Sequence, residues 1–528
     1  MSGTKPVSGD RAVTRGPRVR AVAAGSVGNL VEWYEFGVYG FLATVLAERF
    51  FAPAGGGTAA ALVRTYASFA LAFFFRPVGA VVFGRLGDRW GRRPVLIGVV
   101  SLMSGATALI GVLPTYDAVG ALAPWLLTSL RVVQGLAAGG EFGGAVALLT
   151  ESAPPGRRGL YGAWQSFTVA LGLLGGAAVT AVTATVLSDA QLTSWGWRLP
   201  FLLALPLGLV ALWLRTGLPE SPSFAARGAE PEPSPSHLAR GTEPQPSPSH
   251  LARGTEPQPS PSHLARGAEP ERPPSHPVRA AEPEPERSPS PSHLARGAEP
   301  EPERSPSLSH PARGAEPERP PSHPVRAAEP EGSVVRLGGG ALALAAARVM
   351  GWSAAGYTFL VVLPSYLQLT LHTGVRHALL AAVPANAGFA VAILPAGLLS
   401  DRVGRRPVLL TGAVLVVVTA LPLLGLLRDP GTSSAVKAWA LCAAGVIVGL
   451  MAGPGPALLA EMFPTRVRWT GLGLAYALSN ALFSGCAGLI ITEAVRRTGN
   501  PDVPALYAAA ACAVSAAALL KRTSGTGS

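Results

Sequence analysis

Two glutamates lie in the middle of an otherwise apolar segment, where a carboxylate can carry a proton or bind a cation. The stretch GNLVEWYEF contains Glu32 and Glu35. An ionised carboxylate in such surroundings is costly unless it is protonated, paired with a cation or in contact with a wet cavity. Arg76 and Arg131 lie in other apolar segments and could supply the cation. These residues indicate a buried charged layer with a function.

The segments that position these residues are predicted to be membrane helices. The chain has 528 residues, of which 48% are hydrophobic and 14% charged, with a mean hydropathy of +0.34; a soluble protein of this size is more polar. A helix needs about 20 apolar residues to cross the hydrocarbon core. We predict an all-α integral membrane protein with twelve spanning helices. The spans lie near 21–48, 65–86, 94–113, 121–149, 159–187, 197–215, 337–370, 376–399, 407–427, 435–460, 467–492 and 503–520.

The distribution of Lys and Arg predicts the orientation in the membrane. Most of the basic residues between spans fall on the side that also carries both termini, and basic loops stay in the cytoplasm. We therefore expect a multi-pass protein of the cell membrane with both termini cytoplasmic and no cleaved signal peptide. The net charge of +12 is explained by this topology and indicates no nucleic-acid partner. Cys442, Cys486 and Cys512 are far apart, so neither a disulfide nor a metal site is predicted.

A segment of different composition separates the two halves. Units such as HLARGTEPQPSPS recur there, with more than half of the 50 prolines, and such a segment cannot bury a core. It is predicted to be a disordered cytoplasmic linker, with a metal-binding, pH-sensing or docking role for its histidines and prolines as alternatives and its partner unknown. The predicted organisation is a tail at 1–20, a six-helix bundle at 21–220, the linker at 221–336, a second six-helix bundle at 337–520 and a tail at 521–528.

The two halves repeat each other around their loops. GRLGDRWGRRPVL, which begins at Gly84, returns as GLLSDRVGRRPVL, which begins at Gly397, and LLTESAPPGRRG is matched by LLAEMFPTRVRWTG. Glycines allow a tight turn and close helix packing, while the acidic residues can pair with arginines and helix N-termini. We predict a cytoplasmic gate that opens and closes; a plain basic loop that serves only topology is the alternative. The predicted gate residues are Gly84, Asp88, Arg92, Arg93, Glu151, Arg157, Asp401, Arg405, Arg406, Glu461 and Arg466.

The paired GRRP loops resemble those of the major facilitator superfamily. The stretches GNLVEWYEF, FFFRPVGAVVFGRLGDRWGRRP, RVVQGLAAGGEFGGA and PALLAEMFPTRVRWTGLGLAYALSNALF are similar to its metabolite:proton symporter branch. This resemblance implies two six-helix pseudo-repeats and proton-coupled symport of a small organic acid or zwitterion, such as proline, a betaine, a dicarboxylate, citrate or shikimate. The branch usually has Asp where Glu35 stands, and Glu keeps the carboxylate.

The hypothesis for the charged residues assigns each a role. Glu35 carries the coupled proton and Arg131 tunes its pKa. Glu32, which is counted with these proton-coupling residues, also forms an inner charged layer with Arg76 and Glu141. A static ion-pair network that holds the first bundle together is the alternative. Helical rise places Glu32, Arg76 and Glu141 at a similar depth. The candidate substrate contacts are Asn29, Tyr39, Gln165, Arg348, Trp352 and Tyr357.

Three classes of function agree with these features. A proton-coupled importer is favoured, an efflux antiporter on the same scaffold is second, and a non-transporting membrane sensor is third. No nucleophile with its base, phosphate loop or cluster of metal ligands is evident in the sequence, so an enzyme is not expected. The expected partners are a small-molecule substrate and the lipid bilayer, with the proton as coupling ion and no cofactor.

Overall fold

All regular elements are helical in the part of the chain that the computed structural model describes, namely residues 15–52, 55–140, 146, 149–151, 153–216, 339–464 and 467–521. The predicted linker at 221–336 and most of both terminal tails lie outside these residues. Twelve principal helices are labelled in chain order. They are α1 Arg15–Phe41, α2 Gly57–Trp90, α3 Arg92–Val112, α4 Leu122–Ala137, α5 Arg158–Val186, α6 Ala204–Thr216, α7 Gly339–Gly356, α8 Val375–Val403, α9 Arg405–Arg428, α10 Ser434–Ala452, α11 Arg468–Ser479 and α12 Val503–Leu520.

Shorter helical pieces extend or join these helices. The π-helical turns Tyr357–Val362 and Asn480–Gly485 continue α7 and α11 without a break in direction. The remaining pieces are Ala43–Leu46, Ala47–Phe51, Tyr116–Val119, Ala138–Gly140, Asp189–Gln191, Leu192–Gly196, Arg198–Leu202, Leu363–Leu371, Gly455–Glu461 and Ala487–Thr498. The gap between Ala452 and Gly455 is the interruption of the tenth helix that Pro454 and its glycine neighbours favour.

Ten of the described helices, taken with their continuations, are long and apolar enough to cross a membrane. α1 and α4 are the two that fall short of this measure of length and composition. α1 contains Asn29, Glu32 and Glu35, which lower its hydropathy, and only 16 residues of α4 are described as α-helix. The two helices that carry the predicted proton-coupling residues thus fall outside this set for different reasons, α1 because of its polar residues and α4 because of its described length.

Two helix pairs in the two halves pack backbone against backbone in the same way. In the first half, a Cβ on Gly135 of α4 would overlap the carbonyl of Ala72 in α2. In the second half, a Cβ on Gly445 of α10 would overlap the carbonyl of Ala385 in α8. Only glycine permits this approach. In the first half the contact draws the helices of Arg76 and Arg131 together, and thereby builds the charged layer.

Candidate functional site

An ion pair joins α1 and α2 inside the first bundle. Arg76 Nη2 lies 3.0 Å from Glu32 Oε1, and both side chains are buried. The guanidinium carbon of Arg76 also lies 4.6 Å from the centre of the Phe36 ring and 4.5 Å from that of Phe73. The contact agrees with the similar depth expected from helical rise. Glu141, the third predicted member, lies outside the described residues.

Glu35 is fully buried and is held by two hydroxyl groups of α3. Ser104 Oγ lies 2.8 Å from Oε1, and Thr107 Oγ1 lies 2.7 Å from Oε2. Within the described ranges Glu35 forms no ion pair. A carboxyl group between two hydroxyls is satisfied whether or not it carries a proton, because a hydroxyl both donates and accepts. The arrangement therefore suits a group that gains and loses a proton.

Arg131 reaches Glu35 only through other side chains. Its Nη1 donates to Gln134 Oε1 over 2.7 Å, and its guanidinium carbon lies 4.7 Å from the centre of the Phe36 ring and 4.2 Å from that of Tyr39. Arg131 is fully buried, and its Nε and Nη2 have no hydrogen-bond partner among the described atoms. Arg131 is therefore linked to Glu35 through Gln134 and Thr107, and its role in tuning the carboxyl group stays a prediction.

A cavity of about 30 Å³ lies between the two halves of the chain. Such a space holds about one or two water molecules, so a substrate fits only after the surrounding helices move apart. Its walls are aromatic and aliphatic, with a few hydroxyl groups and one amide. The lining residues are Trp33, Ser166, Val169, Leu173, Trp352, Ser353, Gly356, Tyr357, Leu360, Val361, Phe389, Tyr476, Asn480 and Ser484.

Two of the four π-helical turns in the described residues contribute to this cavity. Tyr357 begins the turn that extends α7, and Asn480 begins the one that extends α11. A π turn breaks the regular pattern of hydrogen bonds, and such turns are frequent at functional sites. Asn386 of α8 donates to the carbonyl of Leu360 over 3.1 Å, which stabilises the turn after α7. The cavity wall is thus formed by backbone that departs from the α-helix.

The structure places four of the six candidate substrate residues away from the cavity. Asn29 Nδ2 donates to Thr168 Oγ1 over 2.6 Å, and the Tyr39 hydroxyl lies 2.5 Å from Ser68 Oγ. Gln165 precedes a lining residue without lining the cavity itself. Arg348 donates to the carbonyls of Ala518 and Lys521 at distances of 3.1 and 3.0 Å, so it caps the C-terminal end of α12. Trp352 and Tyr357 remain as cavity residues.

Sequence reasoning missed several lining residues, although one set carried a signal. Tyr476, Asn480 and Ser484 are spaced four residues apart in an apolar helix, which places them on one helix face. Asn480 and Ser484 are also joined, because the Ser484 hydroxyl lies 2.9 Å from Asn480 Oδ1. Trp33 could have been found more simply, because it lies next to Glu32 within the stretch GNLVEWYEF.

A contact between the halves closes the end of the molecule that carries both GRRP loops, here called the GRR end. Asp401 of α8 accepts hydrogen bonds from the backbone N–H groups of Gly159 and Leu160 at 2.7 and 2.9 Å. These N–H groups belong to the first turn of α5, whose N-cap residue, Arg157, forms no side-chain cap. The carboxylate thus satisfies free N–H groups and lies at the positive end of the α5 dipole.

Three ion pairs accompany this contact. Arg405 lies 2.7 Å from Asp401 and 3.3 Å from Glu461, and Arg468 lies 3.0 Å from Glu151. The last pair joins the two halves. Glu151 thus pairs with an arginine of the other half.

The remaining predicted gate residues have less similar surroundings in the two halves than the repeated motifs suggest. Gly91 and Gly404 have φ angles of 93° and 95°, so both GRRP loops contain the same left-handed turn. Gly84, by contrast, has open space around its Cα, and Arg93 donates to the C-terminal carbonyl of Thr216. Arg406 lies beside Arg405 at the start of α9. The side chains of Asp88 and Arg92, and the whole of Arg466, lie outside the described residues.

The opposite end of the molecule is closed as well. Arg376 of α8 donates to the carbonyls of Ala184 and Leu187, at the C-terminal end of α5, over 2.9 and 3.3 Å. The Tyr66 hydroxyl donates to Ser365 over 2.8 Å across the same end. α8 thus holds α5 at both ends, with a carboxylate at the positive pole and a guanidinium at the negative pole.

The sequence profile of the family described as "Sugar (and other) transporter" matches residues 21–253 and 343–521. The chain belongs to this family. It is similar to the proline/betaine transporter of Escherichia coli (strain K12), with 29% identity over 488 residues, which cover 92% of this chain and 80% of that protein. It is also similar to the ectoine/proline transporter ProP of Corynebacterium glutamicum, with 30% identity over 513 residues, which cover 96% of this chain and 84% of the relative.

Solved structures show the same fold. The xylose transporter XylE from E. coli, in a partially occluded inward-open conformation, matches with a TM-score of 0.63 and 16% identity, covering 97% of this chain and 100% of that one. The major facilitator superfamily proton:xylose symporter XylE with a bound sugar derivative matches with a TM-score of 0.62 and 16% identity, covering 95% of each chain. The prediction of a twelve-helix major facilitator fold is confirmed. The chain is a multi-pass membrane transporter, and the relatives named here are transporters rather than enzymes.

We expect the Arg376→Gln transporter to open more readily at the end opposite the GRR end. The substitution removes two hydrogen bonds from a charged donor, each worth about 1.5 kcal/mol or more, so the open population should rise about tenfold or more. Labelling of a cysteine introduced at Ser365 with a membrane-impermeant maleimide measures this population. Arg497→Gln at the same end is the control, since the Arg497 side chain is 72% exposed. Equal labelling in both variants would show that Arg376 does not hold this end closed.

Proposed function

We propose that this transporter takes up a small zwitterion together with a proton. The observation that carries the proposal is on α1, where Glu35 is buried between two hydroxyls while Trp33, two residues away, lines the central cavity. One helix thus connects a group suited to carry a proton with the wall of the substrate space. Relatives named for proline, betaine and ectoine support the same substrate class.

The chemistry of the cavity favours a substrate without net charge. None of the described lining residues is charged, so a dicarboxylate or citrate would lose its water shell without gaining a cationic partner. Trp33, Trp352 and Tyr476 can attract an ammonium group through their ring faces. The buried Tyr357 hydroxyl has no partner among the described atoms and can donate to a carboxylate. A zwitterion offers an ammonium group to the aromatic rings and a carboxylate to the Tyr357 hydroxyl.

The proposed cycle uses the contacts at the two ends in turn. With the GRR end in the cytoplasm, the Arg376 contacts break to admit substrate and proton, and the Asp401 contacts break to release them. Each opening changes the equilibrium between two states of the same helices. Besides Asp401, the proposed cytoplasmic gate contains Gly84, Asp88, Arg92, Arg93, Glu151, Arg157, Arg405, Arg406, Glu461 and Arg466. The inner charged layer of the first bundle is proposed to consist of Glu32, Arg76 and Glu141.

The proposed location in the cell uses the same orientation, with the GRR end in the cytoplasm. Both termini lie in the cytoplasm, the protein is in the cell membrane, and the bundles at 21–220 and 337–520 are joined by the linker at 221–336. The linker is proposed to be a spacer, so its deletion should leave uptake intact. No cofactor is required in this scheme, because the proton gradient supplies the energy.

Uptake into proteoliposomes tests the proposal. Labelled proline, glycine betaine, citrate and shikimate are offered with and without an inward proton gradient. We expect saturable accumulation of proline or glycine betaine that disappears when an uncoupler is added. Accumulation of citrate or shikimate instead would contradict the zwitterion assignment. If a preloaded compound leaves against its gradient as protons enter, the protein is an efflux antiporter.

The aromatic wall gives a second expected result. Trp352→Leu should raise the KM for glycine betaine about 2- to 30-fold, which corresponds to the loss of a cation–π contact of about 0.5–2 kcal/mol. Trp352→Phe should keep part of the affinity because it keeps an aromatic face. Trp213→Leu is the control, since Trp213 is 72% exposed on the outer surface. A KM unchanged in Trp352→Leu would remove Trp352 from the substrate site.

A further inference from the structure

A continuous chain of hydrogen bonds leads from Glu35 to Arg131. Thr107 Oγ1 lies 2.7 Å from Glu35 Oε2, Gln134 Nε2 donates to Thr107 Oγ1 over 2.5 Å, and Arg131 Nη1 donates to Gln134 Oε1 over 2.7 Å. All four side chains are at most 1% exposed. The chain crosses three helices, because Glu35 is on α1, Thr107 on α3, and the other two on α4.

We propose that Thr107 and Gln134 are positioning residues that couple the protonation of Glu35 to Arg131. The proposal rests on the proposed proton-coupled uptake and names two residues through which that coupling acts. Neither residue carries the transported proton. They fix the orientation of the two groups relative to each other and change their own hydrogen bonds when Glu35 gains a proton.

Thr107 has the two acceptors that such a change requires. Its hydroxyl lies within hydrogen-bond distance of Glu35 and also 3.0 Å from the carbonyl of Met103 in its own helix. When Glu35 is ionised, the hydroxyl donates to the carboxylate. When Glu35 is protonated, the carboxyl group donates to Thr107, whose own hydrogen turns to Met103. Gln134 donates to Thr107 in both states, since the hydroxyl oxygen accepts two hydrogen bonds.

The same chain leads on towards the central cavity. Arg131 and Arg76 both have their guanidinium carbons over the Phe36 ring, at 4.7 and 4.6 Å. Arg76 also lies over Trp33, at 5.7 Å from the ring centre. When Glu35 becomes neutral, a negative charge that offsets these two cations is lost. The contacts around Phe36 and Trp33 then change, and Trp33 is part of the cavity wall.

Several other charged or titratable groups surround Glu35 and must be included in any pH dependence. On its own helix these are Glu32 and Tyr34. α4 contributes Arg131, and α2 contributes Arg76 through its pair with Glu32. α6 contributes Arg215, which lies against Gly28 two turns away. Within the described part of the chain, Glu35 and Arg131 are linked by the hydrogen bonds of Thr107 and Gln134.

The test is the pH dependence of uptake by reconstituted full-length protein. Thr107→Val removes the donor that stabilises the ionised carboxylate, so Glu35 should bind its proton more tightly. The midpoint of the pH profile of proline or glycine betaine uptake is expected to move upward by about one pH unit, a tenfold change in proton affinity. Gln134→Leu should move it in the same direction by less. Thr107→Ser keeps the hydroxyl and should restore the original midpoint.

Thr180→Val is the matched control, because the buried Thr180 hydroxyl bonds only to carbonyls of its own helix. A shifted midpoint in Thr107→Val, restored in Thr107→Ser and absent in Thr180→Val, supports the proposal. An unshifted midpoint in both Thr107→Val and Gln134→Leu, while the Glu35→Gln protein loses its pH dependence, overturns it and leaves proton coupling intact. If uptake by the unmodified protein does not respond to a proton gradient, the proposed function itself fails.

Discussion

Replacement of Glu35 with Gln is expected to abolish accumulation of substrate while exchange of substrate across the membrane continues. Gln resembles the protonated carboxyl in shape and charge and can accept from Ser104 or Thr107 as Glu35 does. The variant therefore behaves as a carrier that never releases its proton. A proton-coupled carrier with one proton per substrate accumulates substrate about tenfold for each pH unit of gradient. In Glu35→Gln this ratio should fall to one.

Two measurements in the same vesicles separate coupling from damage. Net uptake under an inward proton gradient reports coupling, and exchange of labelled for unlabelled substrate without a gradient reports that the site is intact. Glu48→Gln is the control, since Glu48 is an exposed carboxylate beyond the end of α1. Gradient-driven accumulation at the unmodified level in Glu35→Gln would exclude this residue as the coupling group. Glu32 or an undescribed carboxylate such as Glu141 would then take its place as the candidate.

The sequence could predict how deep in the membrane a residue lies, but not which neighbouring helix its side chain faces. Helical rise brought Glu32 and Arg76 to one level, and they are paired in the structure. Asn29 was a candidate substrate contact because it shares a helix face with Glu32 and Glu35, yet its side chain turns towards Thr168 of α5. Arg348 shows the same difficulty, because its partners at the end of α12 are far away in the chain. The direction of a side chain depends on which helices are neighbours.

The hydroxyls around Glu35 were not predictable for a related reason. Ser and Thr in apolar helices most often bond to carbonyls of their own helix, as Thr180 and Thr183 do here. Nothing in the sequence distinguishes Thr107 from these residues. Only the packing of α3 against α1 turns Ser104 and Thr107 into partners of a carboxyl group. By contrast, the repeat itself was evident, since its motifs are continuous in the chain.

The repeated gate motifs also predicted more symmetry than is present. Gly397 packs closely against α5, with Gly159 O 3.0 Å from the position of an added Cβ, whereas Gly84 has no such neighbour. Corresponding glycines of the two repeated motifs therefore have different surroundings in this closed conformation. At the GRR end, α8 packs against α5 around Gly397 more tightly than α2 packs against any neighbour around Gly84. The contact between α5 and α8 is where a small change in side-chain volume should have the largest effect.

Gly159→Val is expected to prevent closure of the GRR end and to stop net transport. A Cβ on Gly159 would lie 2.6 Å from the carbonyl oxygen of Gly397 and would overlap the Ser400 hydroxyl. Because backbone atoms on α8 cannot move out of the way individually, the two helices must separate. Separation also breaks the hydrogen bonds from Gly159 and Leu160 to Asp401. The transporter should then remain open at this end.

Cysteine labelling from each side of the membrane distinguishes this result from simple misfolding. In a background without the native Cys442, Cys486 and Cys512, a cysteine introduced at Ser166 in the cavity wall is labelled by impermeant maleimides. Gly159→Val should raise labelling from the GRR end and lower it from the opposite end. Gly425→Val, a valine at a helical glycine with open space around it, should leave both rates unchanged. Equal access from both ends in the Gly159 variant would mean that the contact between α5 and α8 does not control which end of the transporter opens.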